Sequence, residues 1–268
     1  MLIRPDQLDF KQYKRFFAFG CSFTGYQWPT WAEILHSEMV ECSFYNMGLS
    51  GAGNLAILSK CVEANLKLQY GKDDLVIILW STYCREDRYS NGHWRCPGNI
   101  FTQDYYDKSF VEKHADPKGY LIRDLTLMSI GNAYLDKLPG HALSLRSVPF
   151  NYQNEQDDSV NAIIDLFQQS LGQMPPSLLE LEYDLTRPFT PNGHSYFIET
   201  SFKKHDDYHP DPLRYRSFLE KIHCPLTDKS MEFTEIAQYR LKRTEYLHEI
   251  QQLFPNNTYG SQYFKEWW

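Results

Sequence analysis

Strand signals and helix signals alternate along the first 150 residues, and this alternation limits the fold more than any other feature of the chain. Residues 75–80 (LVIILW) form a continuous apolar run, which is typical of a strand that is covered on both faces. Strands that alternate with helices form mostly parallel sheets. The sequence therefore predicts an α/β protein, a three-layer α/β/α sandwich around a mostly parallel sheet.

Two helices are predicted between the first three strands. Thr30 and Glu33 match a capping box, so we expect the first helix to begin near Trp31. The second is predicted after residue 53 and is expected to end at Gly71. The apolar face of this second helix is expected to carry Leu55, Leu58, Val62 and Leu66.

The later elements are predicted from similar signals. Asp211 followed by Pro212 is a good helix opening, a cap and then a first-turn proline. Further strands are predicted at residues 15–19, 43–47 and 143–148, and further helices at residues 120–138, 160–171 and 231–254. The helix after Pro212 should bury Tyr215, Leu219 and Ile222, and the last helix should align Ile236, Leu247 and Ile250.

Two segments lie outside this regular pattern. Residues 84–118 are rich in Tyr, Asn, Asp and Gly, and we interpret them as an aromatic-rich insertion beside the sheet. Residues 228–268 are predicted to form a C-terminal helical extension. Residues 1–268 are interpreted as one domain.

Composition and charge argue against several classes of function. The net charge of -7 argues against a broad nucleic-acid-binding face, since phosphate neutralisation needs clustered Lys and Arg. The N-terminus lacks the apolar segment of a secretory signal, and no run has the length of a membrane-spanning helix. The six cysteines include no Cys-x-x-Cys pair, so we expect free thiols in a reducing compartment and no metal. We therefore expect a cytoplasmic protein, with virion association as the alternative, that binds neither nucleic acid nor membrane.

Three residues occur in an order that serine hydrolases use. Ser22 directly follows the strand at 15–19, and Asp206 and His209 form an Asp-x-x-His pair. A hydroxyl nucleophile needs a base to take its proton and a carboxylate to hold that base in the right tautomer. Pro210 disfavours helical geometry at His209, so we expect the pair on a loop over the sheet edge.

These blocks resemble the SGNH (GDSL-like) hydrolase superfamily. Gly20-Cys21-Ser22 matches its nucleophile turn, Asn46 to Gly51 matches its Asn-x-x-x-Ser-Gly block, and Asp206 with His209 matches its last block. The resemblance implies a flavodoxin-like fold, esterase, lipase or carbohydrate-deacetylase activity, and no cofactor. It also implies that the backbone N–H groups of Ser22 and Gly51 hold the oxyanion.

One block departs from the family. After the third strand the family shows Gly-x-Asn-Asp, whose asparagine donates to the oxyanion, but here Thr82 stands at that position, preceded by Ser81. A threonine hydroxyl provides one donor where an amide provides two. Loss of one oxyanion donor typically lowers the rate by about a hundred- to a thousandfold. The departure bears on catalytic power and not on the fold.

Each candidate also has a structural interpretation. Ser22 is a common type of helix cap, and His209 is then a surface histidine with a structural hydrogen bond. His205 and His209 have a conceivable metal-site spacing, and Asp207 is the rival orienting carboxylate. Arg85 follows the third strand and is predicted to bind an anionic part of the substrate, with a solvated side chain as the alternative.

The sequence thus predicts hydrolysis of a carboxylic ester through a Ser22 acyl-enzyme. An O-acetyl group on a carbohydrate is the candidate substrate. One alternative is a non-catalytic SGNH-like protein that binds a ligand or is a structural component, for example in a phage particle. Acyl transfer to a sugar instead of to water is a further alternative.

Overall fold

A computed structural model of the chain describes residues 1–39, 41–101, 106–150, 157–172, 174–183, 196–199, 204–207 and 209–243, with the backbone alone for 196–199, 204–207 and 242–243. The strands are β1 (Arg15–Phe19), β2 (Ser43–Asn46), β3 (Asp74–Trp80), β4 (Arg88–Ser90), β5 (His93–Arg95), β6 (His141–Arg146), β7 (Tyr196–Glu199) and β8 (Lys204–Asp207). The helices are α1 (Trp31–Ser37), α2 (Asn54–Leu68), α3 (Lys108–His114), α4 (Pro117–Asp136), α5 (Asp158–Leu171), α6 (Leu178–Glu182), α7 (Pro212–Lys221) and α8 (Asp228–Arg243).

The middle layer of the molecule is a parallel sheet. Its four strands have the order β2–β1–β3–β6. Phe17 of β1 lies between Tyr45 of β2 and Val76 of β3 in the register. Every residue of β3 is buried, which explains why residues 75–80 of this strand are all apolar and do not alternate with polar ones.

Helices cover both faces of the sheet. One face, with Phe16 and Ala18 of β1, packs against α1, α6 and α7. The other face, with Phe17 and Phe19, packs against α2, α4 and α5. The predicted α/β class, with helices on both sides of a mostly parallel sheet, is confirmed.

The predicted helix starts are confirmed where capping residues marked them. In α1, Ala32 N donates to Thr30 Oγ1 (3.3 Å) and Thr30 N donates to Glu33 Oε2 (2.8 Å), so both halves of the capping box form. In α7, Arg214 N donates to the carboxylate of Asp211 (2.8 Å). The apolar face predicted for α7 is buried, at Tyr215, Leu219 and Ile222.

The prediction for α2 was right about the helix, partly right about its face and wrong about its end. Leu58 is buried and Val62 packs against the core, as predicted. Leu55 is 37% exposed and Leu66 is 76% exposed. The helix ends before Gly71, at Gln69, whose φ of 49° closes the last turn. The buried residues of α2 are Asn54, Ala56, Ile57, Leu58, Lys60, Cys61 and Ala64.

The face predicted for the last helix is wrong at Ile236. In the described part of α8 the buried residues include Ser230, Thr234, Ala237 and Leu241, whereas Ile236 is 46% exposed. Burial of the hydroxyls is tolerated because Thr234 Oγ1 donates to Ser230 O within the same helix (2.6 Å). Leu247 and Ile250 lie outside the described residues.

Two more boundaries differ from the predictions. The strand expected at 143–148 is β6, His141–Arg146, and the chain turns away after Ser147 N donates to Trp80 O (2.9 Å). The segment 84–118 contains the antiparallel pair β4–β5 and helix α3. Asn91 and Gly92 link the pair with φ values of 53° and 80°, as an Asn-Gly hairpin turn requires.

All six cysteines lie in the described part of the chain and none forms a disulfide. Among the described residues, no helix has the length and the apolar character needed to cross a membrane.

Candidate active site

The loops after β1, β2 and β3 leave the carboxyl end of the sheet side by side. The chain continues from β1 to α1 and from β3 to α4, and these two helices cover opposite faces. In a doubly wound sheet such a divergence opens a crevice in which ligands bind. Ser22 follows β1, Gly51 follows β2 and Thr82 follows β3. Three predicted site residues therefore follow the ends of three adjacent strands.

Ser22 lies on a tight turn that begins at Cys21. The carbonyl of Cys21 accepts hydrogen bonds from Thr24 N (2.9 Å) and Gly25 N (3.1 Å). A Cβ at Gly20 would overlap the Thr24 hydroxyl and would crowd the end of β3. The glycine before the turn thus lets the turn close against the sheet. Ser22 is 7% exposed at this position.

A hydrogen-bond network holds the Ser22 turn in place. Thr24 O accepts from Asn46 Nδ2 and from Thr30 Oγ1, each at 2.8 Å. Asn46 Nδ2 also donates to Glu33 Oε1 (2.6 Å), and Asn46 Oδ1 accepts from Gly48 N (2.9 Å). Burial raises the pKa of Glu33, and the hydrogen bonds from Thr30 and Asn46 oppose the rise. Both hydrogens of the Asn46 amide are therefore used to support the turn.

Two glycines bring the loop after β2 against its neighbours. A Cβ at Gly48 would overlap the backbone nitrogen of Gly25, so these two loops touch through their backbones. Gly51 has a φ of 76°, which favours glycine, and a Cβ there would overlap the carbonyl oxygen of Cys96 in the insertion. Both conformation and space require glycine at 51. Its role as an oxyanion donor stays a prediction.

The C-terminal block of the sequence meets the Ser22 turn through aromatic contacts. The ring of His209 stacks on Tyr26, with centroids 3.7 Å apart and 16° between the planes. The same ring meets Phe23 edge-on at 5.3 Å. Phe23 is the residue after Ser22, so the histidine is held against the turn that carries the candidate nucleophile.

A buried hydrogen bond fixes the chain beside His209. Trp28 Nε1 donates to Pro210 O at 2.8 Å, which joins residues 182 positions apart in the sequence. Asp211 then caps α7, and its second carboxylate oxygen accepts from Gln238 Nε2 of α8 (3.1 Å). The position of His209 is therefore set both by the Ser22 loop and by the start of α7.

Asp206 lies in β8, which pairs with β7. This position differs from the expected loop, because residues 204–207 form the second strand of an antiparallel pair. The carboxylates of Asp206 and Asp207, the ring of His205 and all of Tyr208 lie outside the described atoms, so the role of Asp206 stays a prediction. Within the described ranges, no three His, Cys, Asp or Glu side chains are grouped in a way that suits a metal ion.

The turn after β3 is held by an asparagine from another element. Asn54, at the first position of α2, accepts from Ser81 N (2.8 Å) and donates through Nδ2 to Ser81 O (3.1 Å). The same amide donates to Asp124 Oδ1 of α4 (2.9 Å). Asp124 is 1% exposed and also accepts from Arg123 Nη2 (2.7 Å). Burial raises the pKa of Asp124 to about 6, although Arg123 opposes the rise.

The two buried amides at this end of the sheet are thus fully occupied. Asn46 Nδ2 donates to two protein oxygens and so does Asn54 Nδ2. Neither amide has a hydrogen left for an oxyanion. Backbone N–H groups and the hydroxyls of the β3 turn can donate to a substrate instead; of these residues Thr82 is half-buried and Ser81 is buried.

Arg85 connects the loop after β2 with the loop after β3. Its Nη1 donates to Ala52 O (2.8 Å), and its own carbonyl accepts from Arg123 Nη2 (2.7 Å). The Nε atom is buried and has no hydrogen-bond partner among the described residues. The side chain therefore has a structural contact, and its predicted role in substrate binding stays a prediction.

Sequence reasoning missed Asn54 and Asp124. The two side chains are 70 positions apart, and nothing in a single sequence links residues at that separation. The available signal for Asn54 was its place in the first turn of a helix after a glycine-rich loop. A polar side chain there faces the carboxyl ends of the parallel strands.

Comparisons with known proteins return no relative of this chain. No protein-family model, no curated protein and no solved structure matches it. The functional argument therefore rests on the residues and contacts described above.

Proposed function

We propose that this chain is a serine esterase of the SGNH type that hydrolyses a carboxylic ester. The observation that carries the proposal is the contact between His209 and the Ser22 turn through Phe23 and Tyr26. A base must lie within hydrogen-bond reach of its nucleophile, and such bonds are often loose before substrate arrives. O-acetylated carbohydrates are the substrate class to test first.

The proposed reaction begins with acylation of Ser22. Its hydroxyl oxygen attacks the ester carbon while His209 takes the hydroxyl proton, and Asp206 orients the imidazole. Backbone N–H groups of Ser22 and Gly51, together with Thr82, hold the negative oxygen of the tetrahedral intermediate. The carbon–oxygen bond to the alcohol then breaks, and His209 gives its proton to the departing alcohol.

Deacylation reverses these roles with water as the nucleophile. His209 takes a proton from water as the water oxygen attacks the acyl carbon, and the proton passes to Ser22 Oγ when the acid leaves. The products are one carboxylic acid and one alcohol, and the reaction needs no cofactor.

The test of this proposal is loss of the hydroxyl at position 22. Ser22→Ala is expected to lower turnover of p-nitrophenyl acetate to background, whereas the exposed-residue control Ser170→Ala on α5 is expected to keep wild-type turnover. Circular dichroism should show that both variants keep the fold. Turnover by Ser22→Ala at the wild-type rate would refute the assignment.

A second candidate function is a non-catalytic protein that uses the same crevice for binding or assembly. The observation in its favour is the commitment of both buried amides, Asn46 and Asn54, to the protein itself, so that neither of them can donate to the oxyanion. A fluorophosphonate probe separates the two candidates, because only an activated serine reacts with it. A labelled Ser22 peptide in a mass spectrum supports the esterase, and an unlabelled protein supports the binding role.

A further inference from the structure

We propose that Tyr26 is a positioning residue that acts through His209: its ring fixes the plane of the imidazole and stabilises the imidazole once it is protonated. The inference rests on the proposed esterase function. It adds an aromatic face to the carboxylate that orients the base and stabilises the imidazolium in a catalytic triad.

The first step of the argument is the close overlap of two rings. The centroids of the His209 imidazole and the Tyr26 ring lie 3.7 Å apart, with 16° between the planes. Non-bonded carbon atoms pack at about 3.5–4.0 Å, so this centroid distance leaves almost no sideways offset between the rings. The imidazole therefore lies flat over the centre of the Tyr26 ring, and a rotation out of this plane would break the contact.

The second step concerns the charge that such an overlap favours. The face of an aromatic ring is its negative side, so two neutral rings prefer an offset or edge-to-face arrangement to full overlap. A cation over the ring centre is attracted instead. The overlap with Tyr26 thus suits a protonated His209 better than a neutral one.

The protonated imidazole occurs only during the reaction steps. In the proposed acylation, His209 receives the proton of the Ser22 hydroxyl and keeps it until the departing alcohol takes it. An attraction that acts on this charged form is stronger in the transition state than in the resting enzyme. Such an interaction raises kcat.

A second stacked histidine in the chain shows the contrast. His36 of α1 stacks on Phe44 of β2 with centroids 4.6 Å apart and 13° between the planes, which is an offset arrangement. Burial lowers the pKa of His36, so this ring is neutral at pH 7.5. The neutral imidazole has the offset stack, whereas His209 has the overlapped one.

One buried tryptophan fixes both partners of the overlapped stack. Trp28 is fully buried, and its ring meets Tyr26 edge-to-face with centroids 4.4 Å apart. Its ring also meets His209 at 6.4 Å with 85° between the planes, and its Nε1 donates to Pro210 O (2.8 Å). The same side chain therefore holds the ring of Tyr26 and the backbone next to His209.

The stack also ties the base to the nucleophile. Phe23 directly follows Ser22 and meets His209 edge-on at 5.3 Å. Tyr26 comes three residues later in the same loop. The rings that contact His209 thus belong to the loop that carries Ser22, so their position sets the position of the imidazole relative to the hydroxyl.

The experiment changes the charge on the face of ring 26 and keeps the ring. Tyr26→Phe is the reference and is expected to stay near the wild-type rate. Phenylalanines with one, two and three fluorine atoms at position 26 then withdraw electron density step by step. We expect fluorophosphonate labelling of Ser22 and kcat for p-nitrophenyl acetate to fall stepwise, by about 3- to 30-fold over the series. KM is expected to change by less than about twofold, because the attraction acts in the transition state.

Removal of the ring tests its part in fixing the imidazole plane. Tyr26→Leu is expected to lower kcat by about 10- to 100-fold, since a misplaced catalytic group loses that much. Circular dichroism reports whether this variant folds. If it does not, the fluorinated series still decides, because every member keeps an aromatic ring of nearly the same size.

Phe44 provides the matched control, because its ring also stacks on an imidazole. The same fluorinated series at position 44 is expected to leave labelling and kcat unchanged. A stepwise fall at position 26 alone supports the inference.

Two results overturn the inference and leave the esterase proposal intact. One is a constant rate through the series at position 26, and the other is an equal fall at positions 26 and 44. Absence of labelling in the wild-type protein overturns the esterase proposal, and the inference fails with it.

Discussion

The turns after β1 and β3 are each held by a buried asparagine that is paired with a carboxylate. In the β1 turn, Asn46 holds Thr24 O and bonds Glu33. In the β3 turn, Asn54 holds both backbone groups of Ser81 and bonds Asp124. An amide can bond a backbone group and a carboxylate together, so two neighbouring turns use the same chemistry to fix their backbones.

The two turns differ in what stabilises the carboxylate. Glu33 accepts from the backbone N–H of Thr30 and from Asn46 Nδ2, which are neutral groups. Asp124 instead accepts from the guanidinium of Arg123. The β1 turn also touches a neighbouring loop through backbone, at Gly25 and Gly48. The β1 turn is therefore fixed by close packing and neutral hydrogen bonds, and the β3 turn by a charge pair.

The largest expected effect tests the backbone contact of the β1 turn. In Gly48→Ala the new Cβ would overlap Gly25 N and lie 2.8 Å from the Thr24 carbonyl carbon. Backbone atoms cannot move aside as side chains can, so we expect a loss of about 3 kcal/mol or more in the free energy of unfolding. Urea denaturation measures this loss.

Gly53→Ala is the counterpart near the β3 turn. The new Cβ would meet Asp87 Oδ2 at 2.7 Å and Arg85 Cβ at 2.8 Å. The carboxylate of Asp87 can shift, whereas Arg85 Cβ moves only with its backbone, so we expect a loss of about 2 kcal/mol, smaller than that of Gly48→Ala. Equal losses in the two variants would show that the contrast between the turns is wrong.

The second prediction concerns the pH dependence of the β3 turn. Burial raises the pKa of Asp124 from its ordinary 3.8 to about 6, with Arg123 opposing the rise and Asp87 adding to it. The folded protein therefore binds this proton more tightly than the unfolded chain does. The contribution of Asp124 to stability is complete below about pH 4 and is lost as the pH rises through about 6. A shift of this size corresponds to about 3 kcal/mol.

Asp124→Asn isolates this contribution, since all other titrating groups are shared with the wild type. The free energy of unfolding of wild type relative to Asp124→Asn is expected to fall by about 3 kcal/mol between pH 4 and pH 7.5, measured by urea denaturation at each pH. Glu33→Gln should show a change of the same sign, because burial also raises the pKa of Glu33. A wild type that gains stability over Asp124→Asn as the pH rises would contradict the assigned shift.

The fold was largely predictable because its signals are local. The apolar run of β3 and the caps at Thr30 and Asp211 depend on residues close together in sequence, and all three were confirmed. The buried face of α2 was not predictable in the same way. Which side of a helix meets the sheet depends on the approach of α4, and Leu66 is exposed for that reason although it is apolar.

The candidate site shows the same difference between local and non-local signals. Ser22 and Gly51 sit beside strand ends that local patterns locate, and Gly51 also has the backbone conformation that only glycine adopts easily. The link between Asn54 and Asp124 joins α2 to α4, and only the three-dimensional fold brings them together. The stack of His209 on Tyr26 is equally non-local. The sequence predicted the residues of the turns themselves. It did not predict that Asn54 and Asp124 hold the turn after β3.

The smallest expected effect concerns the guanidinium that distinguishes the β3 turn. Arg123 bonds Asp124 and also donates to Arg85 O (2.7 Å). Its side chain is 31% exposed, so solvent screens part of its attraction for the carboxylate. We expect Arg123→Gln to lower the free energy of unfolding by about 1 kcal/mol at pH 7.5.

Part of that loss should disappear on acidification, because the Asp124 carboxylate is neutral well below pH 6 and no longer needs a cation. The bond to Arg85 O is lost at every pH, so the difference between the losses at pH 7.5 and pH 4 reports the ion pairs of Arg123 with Asp124 (2.7 Å) and with Glu86 (3.5 Å). Arg88→Gln is the matched control: Arg88 pairs with Glu86 at 3.5 Å with its own side chain 51% exposed, and such surface pairs contribute little. If Arg123→Gln lost the same amount at both pH values, the guanidinium would act on the β3 turn through contacts other than its ion pairs, such as the bond to Arg85 O and the contact with the Tyr120 ring. The two turns would then differ in packing but not in charge.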